Sequence, residues 1–325
     1  MSGAQVFVHK SQFPENVRRD LLESLRSRII NHKFHYESYK QAAKWLALHE
    51  AYSPARRDPS CQRIYDEAFN ATALAANSSV VRVIGLGVGG GQKEARLLEL
   101  LCNRNIEISY TACDVSLPLV LTAREAALLF VSADNLSEVV CDLNGVSDLT
   151  DALGNVGKNA RIMTLFGIIP NFEPATLFPR LGKILHVGDL LLLSANLAPG
   201  NDYAAGVEKV LPQYNNPFTR DWLLTVLFDL GFERDDGELK FSIEADSRTL
   251  RRITAHFELK RSRVIRVLGE KIPFHAIERI RVFFSYRHTT QTIRSLLREQ
   301  RIEVFGEWLN DAHEEGVFLC RKIED

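Results

Sequence analysis

The segment Val80-Val-Arg-Val-Ile-Gly85-Leu-Gly87-Val-Gly89-Gly90-Gly91-Gln-Lys93 runs an apolar strand directly into a glycine cluster and then into a helix. Glycine lets the backbone turn tightly and approach a ligand closely, and a helix N-terminus adds partial positive charge there. Further short apolar runs follow at regular intervals: Ile106 to Cys113, Glu138 to Cys141, Arg161 to Phe166 and Asp189 to Ser194. Helical segments such as Gln92 to Cys102 and Pro118 to Leu129 separate them. Strands buried on both faces and joined by helices predict an α/β fold, a doubly wound parallel sheet. The tail continues the pattern with a helix from Thr290 to Gln300 and strands near Ile302 to Phe305 and Gly316 to Arg321.

The flanking segments differ in texture. Ser11 is placed to cap a first helix, with Pro14 in its first turn and Val17, Leu21, Leu25 and Ile29 on one face. A second helix is expected from Tyr39 to Leu48, and the two prolines of Tyr52-Ser-Pro-Ala-Arg-Arg-Asp-Pro59 predict a loop or boundary. After Asn196 come turn-rich segments and an apolar helix from Asp221 to Leu230. Thr249 to Leu259 and Arg263 to Leu268 then read as an antiparallel pair around Lys260-Arg-Ser262. The expected division is 61–200 plus 287–325 for a cofactor-binding domain, and 1–60 plus 201–286 for an α+β substrate-binding domain.

Charge excludes some partners. Forty basic residues balance 41 acidic ones, which gives no overall attraction to nucleic acid or to an anionic membrane. Locally, Arg248 to Arg301 holds 14 basic and 4 acidic residues. No apolar run reaches the roughly 18 to 20 residues of a membrane span, and the start lacks the pattern of a signal peptide. The expectation is a cytoplasmic protein. Five scattered cysteines, Cys61, Cys102, Cys113, Cys141 and Cys320, argue for free thiols and against structural zinc. His32 and His35 lack companion ligands, and His313-Glu314-Glu315 lacks the second histidine of a zinc-protease helix, so no metal is expected.

Gly85-x-Gly87-x-x-Gly90 fits a dinucleotide fingerprint, although a bare strand-to-helix turn requires glycine equally. Asp114 follows Gly87 by 27 residues at the end of the second strand, where a carboxylate accepts ribose hydroxyls. Asp142 ends the third strand. A second acid suits an adenine amine but repels a pyrophosphate, so the pair favours S-adenosylmethionine (SAM), which has no phosphate. Asp142 also suits a helix cap. Asn171, in the loop after the fourth strand, is placed either to meet a substrate or to cap the helix that begins near Pro174.

These residues resemble the histidine Nα-methyltransferases of ergothioneine biosynthesis and their fungal relatives that methylate tryptophan-type amines. The resemblance spans most of the chain. It rests on Gly87-Val-Gly89-Gly-Gly-Gln-Lys93, Cys113-Asp114-Val-Ser116, Asp142, and Phe166-Gly-Ile-Ile-Pro-Asn171-Phe-Glu-Pro174. Tyr52-Ser-Pro54-Ala-Arg56 is similar to the family's Tyr-Tyr-Pro-Thr-Arg segment. The resemblance implies a class I SAM-methyltransferase fold in which Gly87, Gly89, Lys93, Asp114, Asp142 and Phe166 surround the cofactor. Gly87 and Lys93 would meet its methionine part, Asp114 its ribose and Asp142 its adenine. Asn171 and Tyr214 would hold an acceptor's carboxylate, with Tyr36 and Tyr52 closing over it.

Two departures matter. Gly85 replaces an acid that precedes the family's Leu-Gly pair. His275 and Ile277 align with the glutamate and serine of a Thr-Glu-x-Ser-x-Lys segment that serves imidazole, so a histidine acceptor would lose its partners there. The expectation is a SAM-dependent N-methyltransferase of another amino acid or small amine, with Tyr36, Tyr52 and His275 as candidate proton acceptors. Alternatives are a macromolecular acceptor such as RNA or protein, a nicotinamide-dependent oxidoreductase, or a relative that kept the fold and lost the substrate site.

Overall fold

In the computed structural model, which describes residues 4–146, 153, 160–246 and 250–324, the apolar runs pair side by side. The first strands in chain order are β1 (Val6–Val8), β2 (Val80–Leu86), β3 (Glu107–Asp114), β4 (Leu136–Val140), β5 (Ala160–Leu165) and β6 (Leu190–Asn196). They are followed by β7 (Gly237–Ala245), β8 (Arg251–Leu259), β9 (Arg263–Val267), β10 (Glu270–Phe274), β11 (Arg279–Arg287), β12 (Ile302–Leu309) and β13 (Glu315–Lys322).

The chain divides into two compact units, one of Met1–Gln12, Pro54–Leu197 and His288–Asp325, the other of Phe13–Ser53 and Ala198–Arg287. The first unit holds an eight-stranded sheet in the order β1-β4-β3-β2-β5-β6-β13-β12. β13 lies antiparallel to β6 and β12, and the other pairings are parallel. The chain therefore reverses its direction of winding at β2, which pairs with β3 on one side and β5 on the other. Such a switch point opens a crevice beyond the carboxyl ends of the strands.

Each face of the sheet buries its own core. Leu177, Phe178, Leu181, Ile293 and Leu297 from helices Pro174–Ile184 and Thr290–Arg298 cover one face. Helices Pro59–Ala76, Gln92–Cys102 and Leu117–Ala127 cover the other with Ile64, Phe69, Leu97, Leu98 and Ala123. This is an α/β, doubly wound sheet, with a tail hairpin that adds the antiparallel strand.

Several local expectations change. Ser11 does not cap the first helix, Pro14–Ser27, whose N-cap is Phe13. Its hydroxyl accepts the Asp142 N–H at 3.0 Å instead, in a segment that includes β1 alongside β4. The segment 52–59 is not a loop either. Pro54 and Pro59 each open a helix, and the Asp58 side chain accepts the Ser60 N–H at 2.8 Å. Residues 4–12 and 54–60 thus fall in the sheet unit rather than with the substrate-domain segments.

In the second unit β8 does not pair with β9. It is the middle strand of the sheet β11-β8-β7, so both its edges are occupied, while β9 turns back on β10 through Leu268 and Gly269, both at positive φ (51° and 84°). Thr249 lies outside the described residues. The basic residues of this region meet local acids: Arg261 and Arg263 reach Glu233 and Asp236, Arg252 reaches Glu244, and Arg279 reaches Glu258.

Ile277 sits at φ 71° in the turn between β10 and β11 and is 90% exposed. A β-branched residue in that region is strained, and here packing returns nothing. Ile277→Asn is expected to stabilise the protein by about 0.5–1 kcal/mol, read as a rise in the thermal midpoint; an unchanged or lower midpoint contradicts this.

Candidate active site

The glycine turn is tied to the neighbouring strand by backbone donors at Gly87 and Gly89, and Ser116 N–H closes a local turn on the same acid. Gly87 N–H reaches the Cys113 carbonyl at 2.8 Å, while Gly89 N–H and Ser116 N–H reach the two carboxylate oxygens of Asp114 at 3.0 Å each. Gly87 at φ 66° and Gly91 at φ 73° adopt a conformation that other residues resist, and a Cβ at Gly91 would lie 2.6 Å from the Ala123 backbone. Burial pushes Asp114 up to about 6, against the pull of its N–H donors. A carboxylate has about four acceptor positions, so both oxygens retain capacity for a pair of vicinal hydroxyls. The donor and acceptor set therefore fits the ribose and methionine parts of SAM.

Under the turn lies a carboxylate that the sequence pattern did not disclose. Glu94, buried, accepts the Thr164 hydroxyl at 3.1 Å, and burial pushes it up to about 7. A Cβ at Gly85 would stand 3.3 Å from Glu94 Cγ and overlap Val88 at 2.4 Å. The acid absent at Gly85 thus has no room there, and a carboxylate reaches the same spot from the helix.

Lys93 donates to the Tyr65 hydroxyl at 2.6 Å and lies over the Tyr65 and Phe166 rings, 4.4 and 5.7 Å from their centroids. Phe166 is buried edge-on against Tyr65 and Phe69. Asp142 is buried at the end of β4 and accepts the Asn144 N–H at 2.8 Å, the local turn role that its type also suits. Asn171 is half-buried at the end of a 3-10 turn, and the N-cap residue of the following helix is Glu173.

The second unit gathers a different set. His32 Nε2 bonds the Tyr36 hydroxyl at 2.8 Å. The His32 ring stands 6.4 Å from Trp222 and 6.1 Å from Phe283, and Phe283 packs 6.0 Å from both Trp222 and Tyr214. Burial, then the neighbouring His35, drives His32 down to about 3, so it is neutral. The Tyr214 hydroxyl shares a hydrogen bond of 2.9 Å with Ser285 and accepts from Arg287 at 3.0 Å. His32, Tyr36 and Tyr214 keep partly exposed edges, while Trp222, Phe283, Ser285 and Arg287 are buried behind them.

Three expected residues do not join this set. Tyr52 stands 48% exposed at the end of helix Tyr39–Tyr52, edge-on to Phe218. His275 and Ile277 occupy the exposed turn before β11. At about 3.3 Å per residue, Ile277 is about 20 Å along the strand from Phe283. The turn that carries His275 and Ile277 lies in water between two strands of different sheets, whereas Phe283, later on β11, packs against the aromatic group. Phe283, Ser285 and Arg287 were missed, although Phe283-Phe-Ser-Tyr-Arg287 stands out as a strand mixing aromatic, hydroxyl and cationic side chains.

Comparison with known proteins adds a family. The model of a family described as histidine-specific methyltransferase, SAM-dependent, matches residues 17–322. Similar solved structures include a SAM-dependent methyltransferase from Clostridium acetobutylicum, with 13% identity, 87% of this chain and 99% of that chain covered, and a TM-score of 0.44. Another is the 1,6-didemethyltoxoflavin-N1-methyltransferase of Burkholderia thailandensis, with 12% identity, 88% and 89% covered, and a TM-score of 0.44. A search of curated proteins gave no significant match.

Two pH dependences follow. If Asp114 takes the ribose hydroxyls, as the resemblance implies, they hydrogen-bond its ionised form, and binding of S-adenosylhomocysteine weakens as pH falls through 6. About tenfold is expected between pH 7.5 and 5, and calorimetry of Asp114→Asn should show a weaker, flatter profile. Glu94, raised from 4.5 to about 7, binds its proton more tightly folded than unfolded. Its stabilising contribution is complete below pH 4.5 and is lost as pH rises through 7, by up to about 3 kcal/mol. Glu94→Gln should therefore lose stability less steeply than the wild type between pH 5 and 8 in thermal unfolding; an unchanged slope assigns the effect elsewhere.

Proposed function

Because the chain belongs to the family of SAM-dependent, histidine-specific methyltransferases, and is itself a SAM-dependent methyltransferase, we propose that it methylates the nitrogen of an amino acid or related small amine whose side chain is not imidazole. The observation that carries this reading is the group around Phe283. Three aromatic rings, His32, Trp222 and Tyr214, pack against that apolar side chain, Tyr36 packs behind them on His32 and Trp222, and Tyr214, Ser285 and Arg287 place hydrogen-bond donors beside it. An aromatic or aliphatic side chain gains dispersion contacts against such a wall, whereas a polar ring would leave its nitrogens unpaired. Tyr214, polarised by Arg287, and Asn171 are the proposed carboxylate contacts, which favours an amino acid over a decarboxylated amine.

When bound, SAM supplies a methyl group on a positively charged sulfur. The protein's own part is alignment and desolvation. In the first unit the proposed contacts are Asp114 to the ribose, Asp142 to the adenine, and Lys93 with the Gly87 and Gly89 turn to the methionine part, with Phe166 at the side. In the second, Tyr36 presents an oxygen fixed by His32, and the neutrality of His32 keeps a like charge away from the incoming amine. Desolvation lowers the pKa of the amine and frees its lone pair for attack. No covalent intermediate on the protein is required.

A thermal-shift panel tests the acceptor class. With S-adenosylhomocysteine present, an aromatic or large apolar amino acid is expected to raise the midpoint further, and histidine is not. Phe283→Ala is expected to raise the KM of that acceptor by about 10-fold to 100-fold while leaving the affinity for S-adenosylhomocysteine within twofold. If histidine alone shifts the midpoint, or if Phe283→Ala leaves KM unchanged, the acceptor assignment fails.

A further inference from the structure

Lys93 occupies the second position of helix Gln92–Cys102. A cation there opposes the helix dipole, so helix stability does not account for it. Its ammonium sits in a chain of hydrogen bonds: Lys93 donates to the Tyr65 oxygen at 2.6 Å, and the Tyr65 hydroxyl donates in turn to Glu315 Oε1. Glu315, near the start of β13, is buried beside Cys61, whose thiol reaches Oε2 at 3.5 Å. The Lys93 nitrogen is 3.6 Å from Glu315, within reach of a direct ion pair yet longer than a charge-assisted hydrogen bond. The side chains of Lys93 and Glu315 are 18% and 11% exposed, so their mutual attraction is little screened.

Tyr65 is what intervenes. It is held by Phe69 and Phe166 at ring distances of 5.7 and 5.6 Å, and its oxygen occupies one of the three N–H donors of Lys93. We propose that Tyr65 is a positioning residue that holds the Lys93 ammonium off Glu315, leaving its remaining donors for the carboxylate of the cofactor's methionine part. This rests on the assignment of Lys93 to that part of the cofactor. Without the phenol oxygen, Lys93 closes onto Glu315, and a ligand carboxylate then has to compete with a buried counter-ion.

The test compares two ligands by calorimetry: S-adenosylhomocysteine, which carries the amino-acid carboxylate, and 5′-deoxy-5′-methylthioadenosine, which lacks it. Tyr65→Phe is expected to weaken S-adenosylhomocysteine about 10-fold and methylthioadenosine by less than twofold. Glu315→Gln in the Tyr65→Phe background removes the competing charge and should restore most of the lost affinity. Equal loss for both ligands assigns Tyr65 a packing role, and absence of rescue by Glu315→Gln rules out the spacer; either overturns the proposal. Lys93→Ala separates the premise from the proposal: if it weakens both ligands equally, the assignment of Lys93 to the methionine part is what failed.

Discussion

The bond from Gly89 N–H to the Asp114 carboxylate is the contact on which the glycine turn of the first unit depends. It joins the end of β3 to the glycine turn that follows β2, at the point where the sheet reverses its winding. Because Gly87 N–H also reaches the Cys113 carbonyl, the turn is held at two successive residues of the neighbouring strand. The helix that begins at Gln92 therefore starts in a set direction, with its first N–H groups aimed beyond the strand ends. Lys93 and Glu94 take their places from that start.

Burial then gives these side chains their chemistry. Asp114 and Glu94 lie under a turn that excludes water, and desolvation raises both toward neutrality. A carboxylate held near its titration point gains most from ligand hydroxyls that stabilise its charge. Glu94 is different in kind: bonded to Thr164 and enclosed by the sheet, it supports the turn from below where Gly85 leaves no space for a side chain of its own.

The second unit is built on the opposite principle. Its aromatic group is largely apolar, His32 is neutral and bonded to Tyr36, and further polar atoms lie along the Tyr214, Ser285 and Arg287 edge. The buried members belong to the core of that unit, so Trp222 and Phe283 serve stability and the proposed recognition together. A wall of this kind is selective by shape and by refusal of unpaired polar groups rather than by charge.

Much of the first unit was legible because its information is local. Apolar runs between glycine and proline signals report buried parallel strands, and Asp114 and Asp142 are recognisable by their place at strand ends. The tail strands were legible for the same reason. The second unit was read less well: β8 and β9 look like a hairpin in the chain, and only the presence of β7 and β11 on either side of β8 shows why they are not one. The exposed placement of His275 and Ile277 was hidden for a similar reason, since linear spacing says nothing about which half of β11 faces the aromatic group and which adjoins a turn in water. Glu94, Tyr65 and Glu315 were invisible for a further reason. Each is an ordinary residue on a helix or strand, and its role comes from a neighbour separated in sequence by as many as 250 residues. By itself, the sequence determined the sheet, the glycine turn and the strand-end acids, because backbone geometry and periodic burial are local properties. Tertiary structure alone decided which side chains share a buried, desolvated space, because that depends on contacts that close only when distant segments pack.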